Sequence, residues 1–323
     1  MEEAIKNFHT QFGYRPEIKN SEKLTTYDHY ILDGMGGSHL AGDLLKIYQP
    51  GIELYIHKDY GLPPFDEAFL HESLLIASSY SGNTEETLDF LEEGYSRGFK
   101  MAVISTGGKL IDFAIKNQLP YIQLPEVGIQ PRSALGYSIL AIVKMLGRED
   151  IVAQLYELET LLDPSSFRKQ GEDLATSLAG KIPVIYSSAH NLGIAYNWKI
   201  KLNETGKIPA FYNILPELNH NEMNSFHPTE KTAPLLDRFH FIFLHDPEDD
   251  QRIEKRMNVA ESLYEQDGLG VTHLISQGQT TFEKIFNSLI LADWVAYTIA
   301  VQNGVDPEGV PVIEDFKAKL KEQ

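Results

Sequence analysis

The chain has 323 residues, of which 42% are hydrophobic and 23% charged, the balance of a globular protein long enough for two domains. Its formal net charge of −18 disfavours binding to nucleic acid and to anionic membrane surfaces. It contains no cysteine, which excludes disulfides, thiolate catalysis and cysteine-bound zinc. The N-terminal segment MEEAIKNFH is acidic, unlike a signal peptide, and the apolar stretches are too short or charged for a membrane span. We therefore expect a cytoplasmic protein.

The first half of the chain alternates strand-like and helix-like segments. Strand patterns occur in HYILDG, IELYIH, HESLLIAS, MAVIST and YIQLP, and helical patterns lie between them. Such alternation predicts an α/β fold, with a parallel sheet and helices on both of its faces. Ligands of these sheets bind beyond the carboxyl ends of the strands, which is where the Gly- and Ser-rich turns of this sequence fall.

The second half repeats the architecture without close sequence identity. Its strand patterns are IPVIYSS, AFYNIL, FHFIFLH and VTHLIS, and a long helical pattern follows at FEKIFNSLILADWVAYTIAVQNG. Between the halves, DPSSFRKQG is typical of a linker or a helix start. We predict two α/β domains, residues 1–158 and residues 159–323, the second of which includes a C-terminal helix.

The turn SSYSGNT places hydroxyl groups between a strand pattern and a helix pattern. The start of a helix offers unpaired N–H groups and the positive end of the helix dipole, which suit an anion, most often a phosphate. Helix capping by Thr84 accounts for one hydroxyl but not for three. Ser79, Ser81 and Thr84 are therefore candidate phosphate ligands.

A glycine-rich turn, GMGGSHLAGD, follows the first strand pattern. Gly34, Gly36 and Gly37 permit close approach of the backbone to a ligand. The match to the dinucleotide motif G-x-G-x-x-G is weak, because His39 occupies the last position of the motif. In addition, Glu53 lies at the start of the next strand, whereas the ribose-binding acid lies at its end. A tight turn without a ligand is the alternative.

A candidate cation lies in QPRSALGY. Arg132 precedes a helical pattern, where a positive charge is poorly placed for the helix dipole, so a neighbouring group should compensate it. One interpretation is a surface arginine paired with a carboxylate. The other is a planar cation that stabilises a developing enediolate.

The densest polar segment runs through LNETGKIPA and PELNHNE. Glu204 ends a helical pattern just before a glycine, and His220 lies in NHNE beside Glu222. A carboxylate and an imidazole near one sugar can divide the work of carbon-proton transfer and ring opening. The alternatives are a solvated helix residue for Glu204 and an ordinary loop histidine for His220.

The histidine pattern does not indicate a metal. No histidine pair has the H-E-x-x-H spacing. The segment HDPEDD, which begins at His245, is interpreted as a strand end followed by an acidic helix start. We predict no metal site.

These segments together resemble one family. The chain is similar to the bifunctional phosphoglucose/phosphomannose isomerases of the sugar isomerase (SIS) domain proteins in GMGGSHLAGD, SYSGNTEETL, STGGKL, QPRSALGY, LNETGKIPA, PELNHNE and DPEGVPVIEDFKAKL. The matches follow the family's order and cover nearly the whole chain, so together they are more specific than any one alone. The resemblance implies two SIS domains of the three-layer, flavodoxin-like αβα type. It also implies a homodimer with active sites at the interface, and no metal or organic cofactor.

The resemblance also implies an activity and residue roles. The activity is interconversion of glucose 6-phosphate, fructose 6-phosphate and mannose 6-phosphate, in glycolysis and gluconeogenesis. Glu204 would shuttle the proton between C1 and C2, Arg132 would stabilise the cis-enediolate, and His220 from the partner subunit would assist ring opening. Lys317 matches a lysine near the substrate, although its own context is that of a solvated residue on an amphipathic helix. The sugar phosphate would be bound by Gly36, Gly37, Ser38, Ser79, Ser81 and Thr84.

Four positions depart from the family pattern. The family has a small residue at His39, often a Gly-Trp pair at Ser225 and Phe226, and Thr or Ser at Glu308. The preferred sugar, and the mannose activity in particular, therefore stay open. The alternatives are a non-catalytic phosphosugar-binding protein and an isomerase or deaminase of another phosphosugar. A dinucleotide-dependent enzyme comes last.

Overall fold

The computed structural model describes residues 1–320. The chain divides into two compact units, the first being Lys6–Asp163 and the second Pro164 onward together with Met1–Ile5. Each unit is built on one parallel sheet. The predicted α/β class, with parallel sheets flanked by helices, is confirmed.

All the strand patterns of the sequence form strands. In chain order the strands are β1 His29–Asp33, β2 Leu54–His57, β3 Ser73–Ser78, β4 Lys100–Ser105, β5 Tyr121–Gln123, β6 Ile182–Ser188, β7 Phe211–Leu215, β8 Phe239–His245 and β9 Gly270–Ile275. The pattern HESLLIAS is the one whose start differs, because its first two residues end a short helix. That helix is capped by Asp66, whose carboxylate accepts a hydrogen bond from the Phe69 N–H at 2.8 Å.

Helices connect the strands and cover the sheets. In chain order they are α1 Glu2–Lys6, α2 Gly37–Tyr48, α3 Glu67–Glu72, α4 Glu85–Ser96, α5 Gly108–Asn117, α6 Leu135–Met145, α7 Glu149–Leu161, α8 Arg168–Ser177, α9 Leu192–Glu204, α10 Ala233–Leu236, α11 Gln251–Gln266, α12 Thr281–Gln302 and α13 Pro311–Leu320.

The first unit has the strand order β2-β1-β3-β4-β5, and all its strand pairs are parallel. Its strands alternate between two buried faces. Ile31, Leu75 and Val103 pack in one cluster with residues of α4 and α5. On the other face α2 approaches Leu32 so closely that a Cβ at Gly42 would lie 2.7 Å from a Leu32 methyl carbon. The chain reverses its direction of growth between β1 and β3, which is the switch point where sheets of this order bind ligands.

The second unit has the strand order β7-β6-β8-β9, again wholly parallel. Its switch point lies between β6 and β8. One side of its core is aromatic, with Tyr186, Phe241, Phe243 and Tyr264 fully or almost fully buried. These large rings contact one another edge-on or tilted, the arrangement that aromatic pairs prefer.

Helix α12 is apolar along most of its length. Among the described residues it alone is long and apolar enough to cross a membrane by length and composition. However, 67% of its apolar window is buried inside the structure, and it packs against α8 and α9. Thr280 and Glu283 form a capping box at its start, with the Glu283 N–H donating to the Thr280 hydroxyl at 3.2 Å. These are the features of a buried core helix.

Candidate active site

Two turns of the first unit lie side by side at the switch point. Because β1 and β3 are adjacent and parallel, the glycine turn after β1 and the serine turn after β3 leave the same edge of the sheet. The two turns are joined by hydrogen bonds. The Tyr80 N–H donates to the Ser38 hydroxyl at 3.0 Å, and the Ser78 hydroxyl donates to the Ser38 carbonyl at 3.2 Å. The structure therefore brings together the two turns that the sequence singles out.

The serine turn is organised around a pair of hydroxyls. The Ser79 Oγ lies 2.7 Å from the Thr84 Oγ1 and accepts a hydrogen bond from the Gly82 N–H at 3.1 Å. Thr84 occupies the N-cap position of α4, but its side chain makes no capping hydrogen bond. Ser81 is exposed, and its hydroxyl accepts from the Asn83 N–H at 3.3 Å. Capping therefore does not account for these hydroxyls, and the first N–H groups of α4 keep their capacity to bind an anion.

The glycine turn allows a third segment to reach the start of α2. Gly36 has a φ of +53°, a conformation that favours glycine. A Cβ at Gly37 would lie 2.7 Å from the Pro131 carbonyl carbon and 2.9 Å from the Arg132 nitrogen. The short 3₁₀ turn Pro131–Ser133 therefore packs directly on the glycine turn. It holds Arg132, which is only 2% exposed, so the interpretation as a surface arginine is wrong.

A buried carboxyl that sequence reasoning missed lies beneath the turns. Asp33 ends β1, is fully buried, and neither of its oxygens has a hydrogen-bond partner among the described residues. Burial raises the pKa of Asp33 to about 7, and Glu86 and Asp89 add to the effect. The Thr87 hydroxyl lowers that pKa by a smaller amount, although it lies outside standard hydrogen-bond geometry. Near neutral pH the carboxyl is therefore partly protonated, which weakens its repulsion of an anion.

The corresponding edge of the second sheet has a different chemistry. The Ser188 hydroxyl, at the end of β6, donates to Asp249 at 2.9 Å. The Asn191 amide donates to Asp246 at 3.3 Å, and the Lys284 amine contacts the same carboxylate at 3.1 Å. The polar groups of this edge are thus bonded to carboxylates, which repel phosphate. Of the two switch points, that of the first unit is the better candidate for an anion.

Glu204 lies at the C-terminal end of α9 and is half-buried. The Lys207 amine donates both to the Glu204 backbone carbonyl and to the Gly309 carbonyl, which ties the helix end to the segment before α13. At the next turn back, the buried Lys201 amine lies 2.6 Å from the Asp293 carboxylate on α12. The end of α9 that carries Glu204 is therefore anchored from two sides.

His220 and Lys317 are both exposed. His220 ends the 3₁₀ turn Glu217–His220 and makes no hydrogen bond to another residue within 1–320. Its acidic neighbour in the sequence, Glu222, bonds elsewhere, since the Tyr186 hydroxyl donates to Glu222 at 2.6 Å. Lys317 lies on α13. Both side chains are therefore accessible to a substrate or to another subunit.

The four departures from the family pattern have local structural roles. His39 is buried, with its Nδ1 2.8 Å from Asp43 on the same helix. Phe226 packs in the aromatic core of the second unit, and the Ser225 hydroxyl donates to the Glu222 carbonyl at 2.7 Å. Glu308 lies in a turn where its N–H donates to Asp306 at 2.9 Å. Phe226 thus serves the core rather than a surface that a sugar could reach.

Two parallel α/β units, one of which has hydroxyl-rich turns at its switch point, define a protein of the phosphosugar-isomerase fold class. Solved structures with this fold include a glucosamine-6-phosphate deaminase from Thermotoga maritima, with a TM-score of 0.67 and 16% identity over 95% of this chain and 94% of that one. A tagatose-6-phosphate ketose/aldose isomerase from Escherichia coli has the same TM-score and identity, over 95% and 90% of the two chains. Residues 167–320 match the bacterial phospho-glucose isomerase C-terminal SIS domain.

Closer relatives extend over the full length. A bifunctional phosphoglucose/phosphomannose isomerase from Aquifex aeolicus is 33% identical over 98% of this chain and 97% of its own. The enzyme of that name from Caldicellulosiruptor bescii is 34% identical over 100% and 99%. A D-glucosamine-6-phosphate 4-epimerase from Sulfolobus acidocaldarius is 32% identical over 65% of this chain and 66% of its own. The chain belongs to the bifunctional phosphoglucose/phosphomannose isomerase family, which confirms the resemblance.

Proposed function

We propose that this protein interconverts glucose 6-phosphate, fructose 6-phosphate and mannose 6-phosphate. The observation that carries the proposal is the pair of turns at the switch point of the first unit, where hydroxyls and an uncapped helix start converge in a full-length member of this family. The non-catalytic alternative does not account for the retention of both Glu204 and His220 in a chain that matches bifunctional isomerases from end to end.

The phosphate is held at the two turns. Its oxygens accept hydrogen bonds from hydroxyls and backbone N–H groups, and the positive ends of α2 and α4 add to the attraction. This local field operates against a chain whose formal net charge is −18. The groups assigned to the phosphate are those of Gly36, Gly37, Ser38, Ser79, Ser81 and Thr84.

The reaction itself needs a base and a stabilised anion. The Glu204 carboxylate removes the proton from C2 of the aldose, the electrons of that C–H bond form the C1–C2 double bond, and a cis-enediolate results. Return of the proton to C1 gives the ketose, and return to either face of C2 gives the glucose or the mannose epimer. Arg132 stabilises the negative charge of the enediolate, and His220 and Lys317 assist at the ring oxygen and hydroxyls.

We further propose a cytoplasmic homodimer in which His220 acts in the active site of the partner, with no metal or organic cofactor in the reaction. A mixing experiment tests the shared site. Glu204→Gln and His220→Asn variants, each inactive alone, are unfolded and refolded together. If each site draws on both subunits, the mixture regains activity, because some sites then contain neither substitution. A mixture that stays inactive contradicts the shared site but not the isomerase activity.

A second candidate function is action on an amino sugar phosphate. It is favoured by one observation, the 32% identity to the D-glucosamine-6-phosphate 4-epimerase of Sulfolobus acidocaldarius. The two functions are separated by the substrate, since an isomerase of glucose and mannose 6-phosphates leaves glucosamine 6-phosphate unchanged.

The direct test is an assay of the purified protein on fructose 6-phosphate, with glucose 6-phosphate and mannose 6-phosphate quantified separately and glucosamine 6-phosphate as a parallel substrate. We expect both hexose products and no change in the amino sugar. Binding of fructose 6-phosphate without either product would favour the non-catalytic protein. Turnover of glucosamine 6-phosphate alone would favour the second candidate.

A further inference from the structure

Two histidines and two glutamates form a cluster where β8, β9 and α11 meet. His245 ends β8, and His273 lies on the neighbouring strand β9. Glu254 and Glu261 lie two turns apart on one face of α11. None of these residues is assigned a role in the proposed reaction. Because the four come from three elements, their spacing along the chain gave no sign of a site, and the sequence predicted no metal.

The ligand atoms of three of these residues converge. The His245 Nε2 lies 2.9 Å from a Glu261 carboxylate oxygen, and the His273 Nδ1 lies 3.1 Å from both oxygens of the same carboxylate. The nearest ligand atoms of His245, Glu261 and His273 all lie within 4.8 Å of one another. The two imidazole rings stack, with centroids 3.8 Å apart.

The hydrogen bonds of His245 require a positive charge at this place. Its Nδ1 lies 2.9 Å from the Glu254 carboxylate and its Nε2 faces Glu261. A neutral imidazole carries one proton, so one of these nitrogens would direct its lone pair at an anionic oxygen. Burial lowers the pKa of His245, but the two carboxylates outweigh burial and raise it overall. The gap between Nε2 and Glu261 must therefore hold either a second proton or a metal cation.

The surroundings match a metal site better than a simple ion pair. The cluster holds two carboxylates, so a divalent cation balances its charge where a single proton leaves it negative. Glu254 fixes the tautomer of His245 from behind, as carboxylates do for zinc-bound histidines. Glu254 also has one buried oxygen without a hydrogen-bond partner among the described residues. The side chains of His245 and Glu261 are 2% and 11% exposed, whereas that of His273 is 43% exposed, which opens one side of the cluster to solvent.

We propose that His245 Nε2, His273 Nδ1 and the Glu261 carboxylate bind one Zn²⁺ ion, with water as the fourth ligand. Two imidazoles and one carboxylate form a ligand set that zinc favours. Tetrahedral ligands about 2.0–2.1 Å from zinc lie roughly 3.3 Å apart, so the present contacts need to lengthen by only a few tenths of an ångström. Binding displaces the proton held between His245 and Glu261 into the solvent. The ion would connect α11 to the edge strand β9, which is a structural function.

The experiment uses the whole chain, freed of metal with EDTA and titrated with ZnCl₂ in an isothermal calorimeter at pH 7.5. We expect one Zn²⁺ per chain with a micromolar or tighter Kd, release of a proton and a rise in Tm. His273→Gln, at the exposed side of the cluster, should weaken binding by tenfold or more without preventing folding. Glu254→Gln should weaken binding by about 10- to 100-fold and preserve the stoichiometry.

His227→Gln is the matched control. His227 pairs with Asp267 at 2.8 Å just beyond α11, but it does so as an exposed histidine without a second imidazole. Its loss should leave the affinity for zinc unchanged. Absence of stoichiometric binding, full affinity in His273→Gln, or an equal loss in His227→Gln would overturn the proposal and leave a proton between His245 and Glu261. None of these readouts depends on the isomerase activity.

Discussion

The Thr84 hydroxyl lies 2.7 Å from the Ser79 hydroxyl instead of capping α4, although Thr84 occupies the N-cap position of that helix. A capping side chain would satisfy the first N–H groups of the helix and compete with any anion. Here the hydroxyls point toward each other across the turn. The arrangement leaves both the hydroxyls and the helix start available to a phosphate.

Replacement of Thr84 by valine should impair substrate binding. The change removes the hydroxyl while keeping the shape of the side chain, and a hydrogen bond to a charged group contributes about 1.5–3 kcal/mol. We expect kcat/KM for fructose 6-phosphate to fall by about tenfold or more, mainly through KM. Thr84→Ser, which keeps the hydroxyl, should retain most of the activity. A Thr84→Val enzyme within twofold of wild type would refute the role of this hydroxyl.

Replacement of Gly37 by alanine should disturb the position of Arg132. The new Cβ would lie 2.7 Å from the Pro131 carbonyl carbon, and backbone atoms cannot yield as a flexible side chain does. We expect a loss of about 1–3 kcal/mol of stability, by analogy with overpacked cores, and a lower kcat measured at saturating substrate. Gly51→Ala is the control, because a Cβ at Gly51 meets nothing within 4 Å. Equal behaviour of the two variants would contradict this packing.

Asp33 should make stability depend on pH. Its pKa rises from 3.8 to about 7 on folding because of burial, so between these values the folded chain binds more protons than the unfolded chain. The free energy of unfolding therefore falls as pH rises through this window. The penalty is absent below pH 3.8 and fully present above pH 7, where it amounts to about 4 kcal/mol.

Asp33→Asn removes this penalty. The variant should gain stability relative to wild type as the pH rises from 4 to 8, measured by urea unfolding at several pH values. Asp112→Asn, at an exposed position on α5, is the control and should show a constant difference from wild type. If the difference between Asp33→Asn and wild type were also independent of pH, the carboxyl would not titrate in this range.

The buried pair of Lys201 and Asp293 should be needed for the stability of the second unit. Lys201→Met leaves the Asp293 carboxylate buried without the amine that lies 2.6 Å away, and breaking such a pair costs about 3–5 kcal/mol. The double variant Lys201→Met/Asp293→Leu removes both charges and should recover much of that loss in urea unfolding. A double variant no more stable than Lys201→Met would show that the pair is not the source of the effect.

Much of the fold follows from local patterns. The nine strands coincide with short apolar runs bounded by polar or glycine residues, as buried parallel strands require. The turns after β1 and β3 were also predictable, because glycines and several hydroxyls between a strand pattern and a helix pattern are typical of an anion-binding turn. The segment HDPEDD likewise forms a strand end and a helix start, with Asp250 as the cap of α11.

Other features depend on contacts between distant parts of the chain. The burial of Arg132 and Asp33 arises from packing that no local pattern records. The cluster of His245, Glu261 and His273 is assembled by strand order, since β8 and β9 are neighbours in the sheet but separated along the chain by α11. Residue types alone indicated which groups carry chemistry, whereas burial and strand order decide which of them meet.

The most direct test of the central claim is transfer of solvent hydrogen to C2. Fructose 6-phosphate is incubated with the protein in D₂O and followed by NMR. We predict deuterium at C2 of both glucose 6-phosphate and mannose 6-phosphate, slowed 100-fold or more by Glu204→Gln, which should still bind the sugar phosphate. Glu92→Gln, at an exposed position on α4, should exchange at the wild-type rate. Wild-type exchange in Glu204→Gln would contradict the assignment of the base, and an absence of deuterium from the products of the wild-type protein would contradict proton transfer through an enediolate.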